Sequence, residues 1–479
     1  MERKERLMQL VEQQAEEIVR ISRDIWQNPE LGMGEYHALD VYRAALKKAG
    51  ARITEELAGI PTALCGEWGS GKPVIGFLGE YDALPGLSQG VWDQAVHAPV
   101  DGQVCGHGCG HNNLGAGAFG AAVALAEYLK EQGLPGTVRF YGCPGEEDGS
   151  GKAFMAEAGC FADVDACLTW HPSDINAVVA GGSLAIISVE FTFHGRSAHA
   201  SASPEMGRSA LDAAELTNVG ANYLREHIPE RARMHYAYQN AGGKAPNVVQ
   251  DTACLRYFVR APKADMAKGI YERLCKVARG AAMMTETEVD IYLNDCVANF
   301  VPNQHLSRLL QQVLEELPLP TFTEEEEALA SAFQAGYTAE ELAHPAKIVE
   351  RLDLPKGTVP MDRFHRAIMP FVPRDGVMGG STDVGDVSHC VPTAQYFGVT
   401  MPIGTPGHAW QTTAFSGSTI AEKGTMHAAK VLALTGLRAM MQPGFLEAAM
   451  AECVETTGAK PAGLMDPGQK PIILPHNQE

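Results

Sequence analysis

The sequence predicts an α/β protein with a mainly parallel sheet and a smaller α+β unit inserted into it. Three observations carry this prediction. Short, nearly continuous apolar runs alternate with helical stretches through residues 1–185, the pattern of strands covered on both faces. Around 186 the texture changes to one-in-two alternation, the period of a half-exposed antiparallel strand. From 366 the chain returns to Gly-rich turns and helices, so 1–185 and 298–479 are assigned to one α/β unit and 186–297 to the insertion.

Taken in order, the first 26 residues form an amphipathic helix loaded with charge, without the apolar stretch of a signal peptide. Val74-Ile-Gly-Phe-Leu78 reads as a buried strand, and 114–129, rich in Ala and Gly, as a tightly packed helix. Strands follow at 137–142 and 165–170. In the insertion, Ile187, Val189, Phe191 and Phe193 alternate with polar residues. A helix is expected over 207–226 and strands near 234–239 and 251–260. Met266, Ile270, Leu274, Val277 and Ala281 keep helical spacing, and a last strand covers 287–296, giving the order βαββαβ. The stretch 318–365, with its acidic run Glu324 to Glu327 and Pro320, Pro345, Pro355 and Pro360, reads as an irregular elaboration at the surface or along a cleft wall. A helix spans 424–441.

At 479 residues the chain exceeds one ordinary domain. A formal charge of -20 argues against wrapping nucleic acid, which needs clustered Lys and Arg, but leaves an anionic substrate open. No run reaches the roughly 18 apolar residues of a membrane span. Eleven scattered cysteines, an odd number, speak against a disulfide framework and for a reduced, cytoplasmic protein.

The chemistry concentrates in Gly-His-Gly-Cys-Gly-His-Asn at 106–112 and Pro-Gly-Glu-Glu-Asp at 144–148. Cys105, His107, Cys109 and His111 nominally offer four ligands, but so short a segment leaves too little chain to surround one tetrahedral ion. Cys109 and His111, joined by donors from distant strands, is the better reading. Adjacent carboxylates are usually a solvated turn. Behind a buried strand and a tight turn, however, Glu146 and Glu147 can diverge, one to a metal and the other to the proton of an activated water. Glu80 and Asp82 follow the first strand and His171 the third, at the strand ends where sites form in such sheets. His408, in Gly-Thr-Pro-Gly-His-Ala-Trp, is a further candidate.

These motifs, with Thr-Trp-His-Pro at 169–172, the stretch FHGRSAHASASPEMGRSALDA and the late GTPGHAW, resemble the M20 metallopeptidase/amidohydrolase family, in its aminoacylase-like branch. The resemblance implies a zinc-exopeptidase-like catalytic unit and a ferredoxin-like lid and dimerisation domain. It implies two divalent ions, Mn2+ or Zn2+, held by Cys109, His111, Glu147, His171 and His408, with Glu146 as general base. Asp82 would orient a ligand through a hydrogen bond. His199 would stabilise the oxyanion, reaching into a partner subunit's site. Asn247 and Arg260 would grip the substrate carboxylate. The chain departs from the family at Asn112, where Asp is usual after Gly-His, at Glu80, where other branches place a histidine ligand, and at Thr382, where Glu is common.

The expected activity is hydrolysis of a small-molecule N-acyl or N-aroyl amino acid, with p-aminobenzoyl-glutamate the leading candidate, in a homodimer or a heteromer with a homologous subunit. An aminoacylase or dipeptidase of different specificity and a non-catalytic subunit are the alternatives. A Cys109 nucleophile would leave Glu146, Glu147, His171 and His408 without a role.

Overall fold

In the computed structural model, residues 3–343, 347, 362–373, 380–466 and 468–475 are described. The strands in chain order are β1 (Arg52–Glu55), β2 (Leu64–Ser70), β3 (Val74–Glu80), β4 (Leu84–Pro85), β5 (Cys105–Gly106), β6 (Gly136–Cys143), β7 (Ala166–Ser173), β8 (Ala177–Val178), β9 (Ala185–His194), β10 (Arg233–Asn240), β11 (Thr252–Ala261), β12 (Glu288–Val297) and β13 (Thr393–Val399).

Seven strands form one sheet in the order β1-β2-β6-β3-β7-β13-β8. Its centre, β6-β3-β7-β13, is parallel, and antiparallel strands close both edges. The apolar run of β3 is buried along its whole length because its side chains feed two cores. Ile75 and Phe77 face the helices Arg3–Gln13, Ala15–Gln27, His111–Gln132 and Thr419–Met441. Val74 and Leu78 face the opposite layer, where Phe154 and Met155 meet Val384 and Val387. The N-terminal helix expected as one piece is two, meeting at Gln14.

The stretch between β9 and β12 forms a separate antiparallel sheet, β10-β11-β9-β12, with helices Ala210–Leu224 and Ala264–Thr285 on one face. Alternation explains it: Ile187, Val189, Phe191 and Phe193 point to those helices while Glu190 and Thr192 point away.

The stretch 318–365 is more regular than its composition suggests. Thr323 and Glu326 form a capping box that opens the helix Glu324–Gln334, so the four glutamates fill its first turn, at the positive end of its dipole. Phe333 and Tyr337 anchor it against Met401 and Phe415. Pro345, Pro355 and Pro360 lie outside the described residues. Among the described residues no helix is long and apolar enough to cross a membrane.

Candidate metal centre

Because β3, β6, β7 and β13 run parallel, their carboxyl ends share one edge of the sheet, and the candidate donors collect there. β3 ends at Glu80, with Asp82 two residues on, and β6 leads into Glu146 and Glu147, while His171 sits near the end of β7. A two-residue ladder, Leu84 with Gly106 and Pro85 with Cys105, clips the chain beyond Asp82 to the Cys109 loop. The helix His111–Gln132 starts at this edge behind Gly110, whose φ of 80° suits glycine. It comes close because it carries glycine where it meets the strands: a Cβ on Gly115 would lie 2.5 Å from the Glu80 carbonyl oxygen. His408 arrives on the loop after β13 with φ of 53°, a strained value for histidine, and its N–H donates to the Gly108 carbonyl at 3.2 Å.

Three sets of donor atoms lie within 4.8 Å of one another: Cys109, His111 and His171; Cys109, Glu147 and His408; and Glu80, His111 and Glu146. The Cys109 sulfur is 3.3 Å from His171 Nε2, and His408 Nε2 is 3.4 Å from Glu147 Oε1. Asp82 holds two of these groups: its Oδ1 is 2.8 Å from His111 Nδ1, and its Oδ2 accepts the Glu147 N–H at 2.9 Å. Turned this way, His111 presents Nε2 to the cluster. That atom and Glu147 Oε1 are buried without a hydrogen-bond partner, the condition of donors shaped to meet a cation.

The electrostatics agree. Burial, then Glu80 and Glu147, push the Glu146 carboxyl well above the ordinary range. Burial also raises Glu147, against the pull of His111. Burial opposes charge on His111, but the Cys109 sulfur and Asp82 outweigh it and raise its pKa. His171 is drawn down to about 4, by burial and then by His111. Perturbation of this kind, in a cleft, marks a functional site. A cleft of about 650 Å3 opens over Cys109, His171 and His408, walled in part by Thr338 and Glu341.

The structure brings together Cys109, His111, Glu146, Glu147, His171 and His408, with Asp82 behind them. His199 belongs to none of these sets, and neither it nor Asn247 nor Arg260 lines the cleft above them. His199 is exposed and accepts the N–H groups of Ser201 and Ala202 on Nδ1, and its neighbour Ala200 donates to the Asn247 carbonyl at 3.0 Å. Arg260 lies on β11, donates to Ser381 Oγ at 3.0 Å and stacks over Phe258. Cys105 and His107 tie the loop down: the thiol donates to the Pro29 carbonyl, and His107 Nε2 is 3.1 Å from the Ile25 carbonyl.

The departures from the family pattern acquire causes. Asn112 donates to Ser22 Oγ and to the Ser416 carbonyl, the second of which a carboxylate could not do. Thr382 Oγ1 accepts the N–H of Val384, the first residue of the helix Val384–Cys390. Glu80 places Oε2 3.3 Å from His111 Nε2 and Oε1 2.8 Å from the buried ammonium of Lys152. Lys152, Asp383 and Glu35, all fully buried beside the cluster, went unread in the sequence. Glu35 accepts the Gly145 N–H, and burial with Asp82 nearby lifts its carboxyl to about 8. The only trace of Lys152 in the sequence is a lone charge among small and apolar residues just after the Glu-Glu pair.

A parallel sheet whose strand ends gather thiolate, imidazole and carboxylate donors beside a further carboxylate defines a metal-dependent amidohydrolase or peptidase. The chain belongs to peptidase family M20/M25/M40, whose sequence pattern matches residues 76–348. It is 41% identical to a p-aminobenzoyl-glutamate hydrolase subunit of Escherichia coli (strain K12) over 446 residues, 92% of each chain. It is 30% identical over 468 residues to the Xaa-Arg dipeptidase of Mus musculus, covering 94% of this chain and 91% of that one. The crystal structure of the aminobenzoyl-glutamate utilization protein from Klebsiella pneumoniae shares the fold, with a TM-score of 0.60 at 17% identity, over 91% of this chain and 99% of that one.

Proposed function

We propose that this protein hydrolyses the amide bond of an N-aroyl amino acid, p-aminobenzoyl-glutamate, to p-aminobenzoate and glutamate. The observation that carries this reading is the convergence of Cys109, His111, Glu147, His171 and His408 beside Glu146, in a chain 41% identical to part of a hydrolase of that name. Two divalent ions, Mn2+ or Zn2+, suit one thiolate, three imidazoles and a carboxylate, and when bound they supply Lewis acidity and an acidified water. Glu146, the carboxylate left over, takes the proton of the attacking water and returns it to the amide nitrogen as the carbon–nitrogen bond breaks. Asp82 keeps His111 in the tautomer that offers Nε2.

His199, supplied by a partner subunit, steadies the oxyanion, and Asn247 and Arg260 bind the glutamate carboxylate. The exposure of His199 and Asn247 within one chain supports delivery across an interface. The 186–297 unit then acts as a lid and dimerisation surface, in a homodimer or alongside a homologous subunit. The open edge strand β10 and exposed Tyr223, Met283 and Met284 support this. Free cysteines throughout the described residues support a reducing, cytoplasmic location.

A second reading, a dipeptidase taking a basic residue, draws on the dipeptidase relative and on Asp174, Glu340 and Glu341 in the cleft wall. Metal analysis and turnover of p-aminobenzoyl-glutamate before and after chelation, beside N-acetyl amino acids and Xaa-Arg dipeptides, separate the readings. Activity on p-aminobenzoyl-glutamate that vanishes on chelation and returns with metal is expected. Activity on dipeptides alone favours the second reading, and no hydrolysis by the metal-loaded assembly favours a non-catalytic subunit.

A further inference from the structure

We propose that Lys152 is a built-in cation that keeps a divalent ion out of the deepest donor set, Glu80, His111 and Glu146, so that both ions seat on Cys109. The inference rests on the ligand assignment above. Two of the three donor sets compete, because His111 has one nitrogen facing the cluster and both need it. An ion in the deep set would take His111 from the Cys109 set and would tie up Glu146, the group that must stay free to carry a proton. Charge alone favours that misplacement, since Glu80 and Glu146 flank His111 and Asp383 lies close behind.

Lys152 answers that charge. It is fully buried, and its Nζ lies 2.8 Å from Glu80 Oε1 and 2.5 Å from Asp383 Oδ1. Burying an ammonium is costly and persists where carboxylates surround it. The Lys152 backbone N–H also donates to Asp383 Oδ2 at 2.9 Å, so the same carboxylate grips both ends of the residue. Swinging the ammonium aside would leave Glu80 and Asp383 buried without their counter-charge. Glu80 keeps one oxygen on Lys152 and offers only the other to His111, half of what a chelating carboxylate would provide. No step of the proposed hydrolysis uses Lys152, which makes it a positioning residue.

The test is cobalt substitution in the full-length protein, because thiolate-to-cobalt absorption counts the ions that touch Cys109. Wild type loaded with two equivalents of Co2+ should show the full band. Lys152→Met should keep two equivalents but show about half the band per cobalt, with kcat reduced at least 100-fold. Lys152→Met/Glu80→Gln, which removes the pair together, should recover the wild-type band, and Lys152→Arg should retain it. Lys152→Gln gives the same reading should methionine prevent folding. An undiminished band in a folded Lys152→Met or Lys152→Gln protein overturns the inference, as does a double variant as deficient as the single one. A wild type without any thiolate band refutes the ligand assignment instead.

Discussion

Replacing Asp82 with asparagine changes no shape and removes one charge, and the structure dictates what must fail. Asp82 is 1% exposed, and each oxygen serves a different donor, His111 Nδ1 at 2.8 Å and the Glu147 N–H at 2.9 Å. Burial works against its charge, yet His111 and the Glu147 N–H hold its pKa below the ordinary value. An amide has only one acceptor atom. If that oxygen stays on Glu147, the NH2 faces His111 Nδ1, which must then accept, moving the ring proton to Nε2 and closing the atom that faces the metal. If the amide turns over, two donors meet at Glu147 instead. Either way one charge-assisted bond is lost, and outer partners of metal ligands are generally worth about 10- to 100-fold in affinity. The expected loss is therefore about 1.4 to 2.8 kcal/mol in metal binding. Competition with a chromophoric chelator measures it on apo wild type and Asp82→Asn, with circular dichroism checking the fold. A folded Asp82→Asn protein binding metal within about threefold of wild type would refute the reasoning.

Three more outcomes follow from named contacts. Glu146→Gln should retain its metal, by elemental analysis, while kcat falls about 10²- to 10⁴-fold, the usual share of a general base. His427 is buried in the helix Thr419–Met441 with Nε2 unpartnered, and burial brings its pKa down to about 4. The unfolded chain takes up this proton below about pH 6.5 and the folded chain does not, so stability should fall between pH 6.5 and 4 by about 3 kcal/mol. Denaturation of His427→Gln across that range should lack this part of the slope. Gly115→Ala sets a methyl 2.5 Å from the Glu80 carbonyl oxygen and drives it into Tyr42 Oη as well. A cost of about 1–3 kcal/mol is expected, read as a lower thermal midpoint together with weaker metal binding.

What could be read from the sequence was whatever depends on periodicity or local chemistry. β3 was legible because a strand buried on both faces must be apolar at every position, and β9 because one face is not. Candidate donors such as Cys109 and Glu147 were legible because they stand in loops behind strands, and His111 because it opens a helix two residues beyond Cys109. The helix Glu324–Gln334 was obscured because its caps, Thr323 and Glu326, hide inside an acidic run that resembles a surface loop. Lys152, Asp383 and Glu35 were illegible for a different reason. Charged residues are ordinarily outside, and only the fold reveals that Lys152 and Asp383 neutralise each other inside while Glu35 is satisfied by the Gly145 N–H and the Thr62 hydroxyl. His199 and Asn247 are exposed and Arg260 lies on β11 against Ser381, so the roles the resemblance implies for them have no counterpart within the single chain.

The sheet order has a consequence for how this chain is made. β7 and β8 are consecutive along the chain but not neighbours in space, because β13 lies between them and arrives more than two hundred residues later. Until it arrives, β7 presents a bare hydrogen-bonding edge made of core residues, an invitation to the wrong partner in a crowded ribosomal queue. His408 follows β13 by a few residues, so the same late insertion that seals the sheet delivers the last donor. A nascent chain therefore holds an incomplete set of candidate donors for as long as its sheet is open. Collection of the candidate donors and burial of the vulnerable edge are thus tied to the same strand.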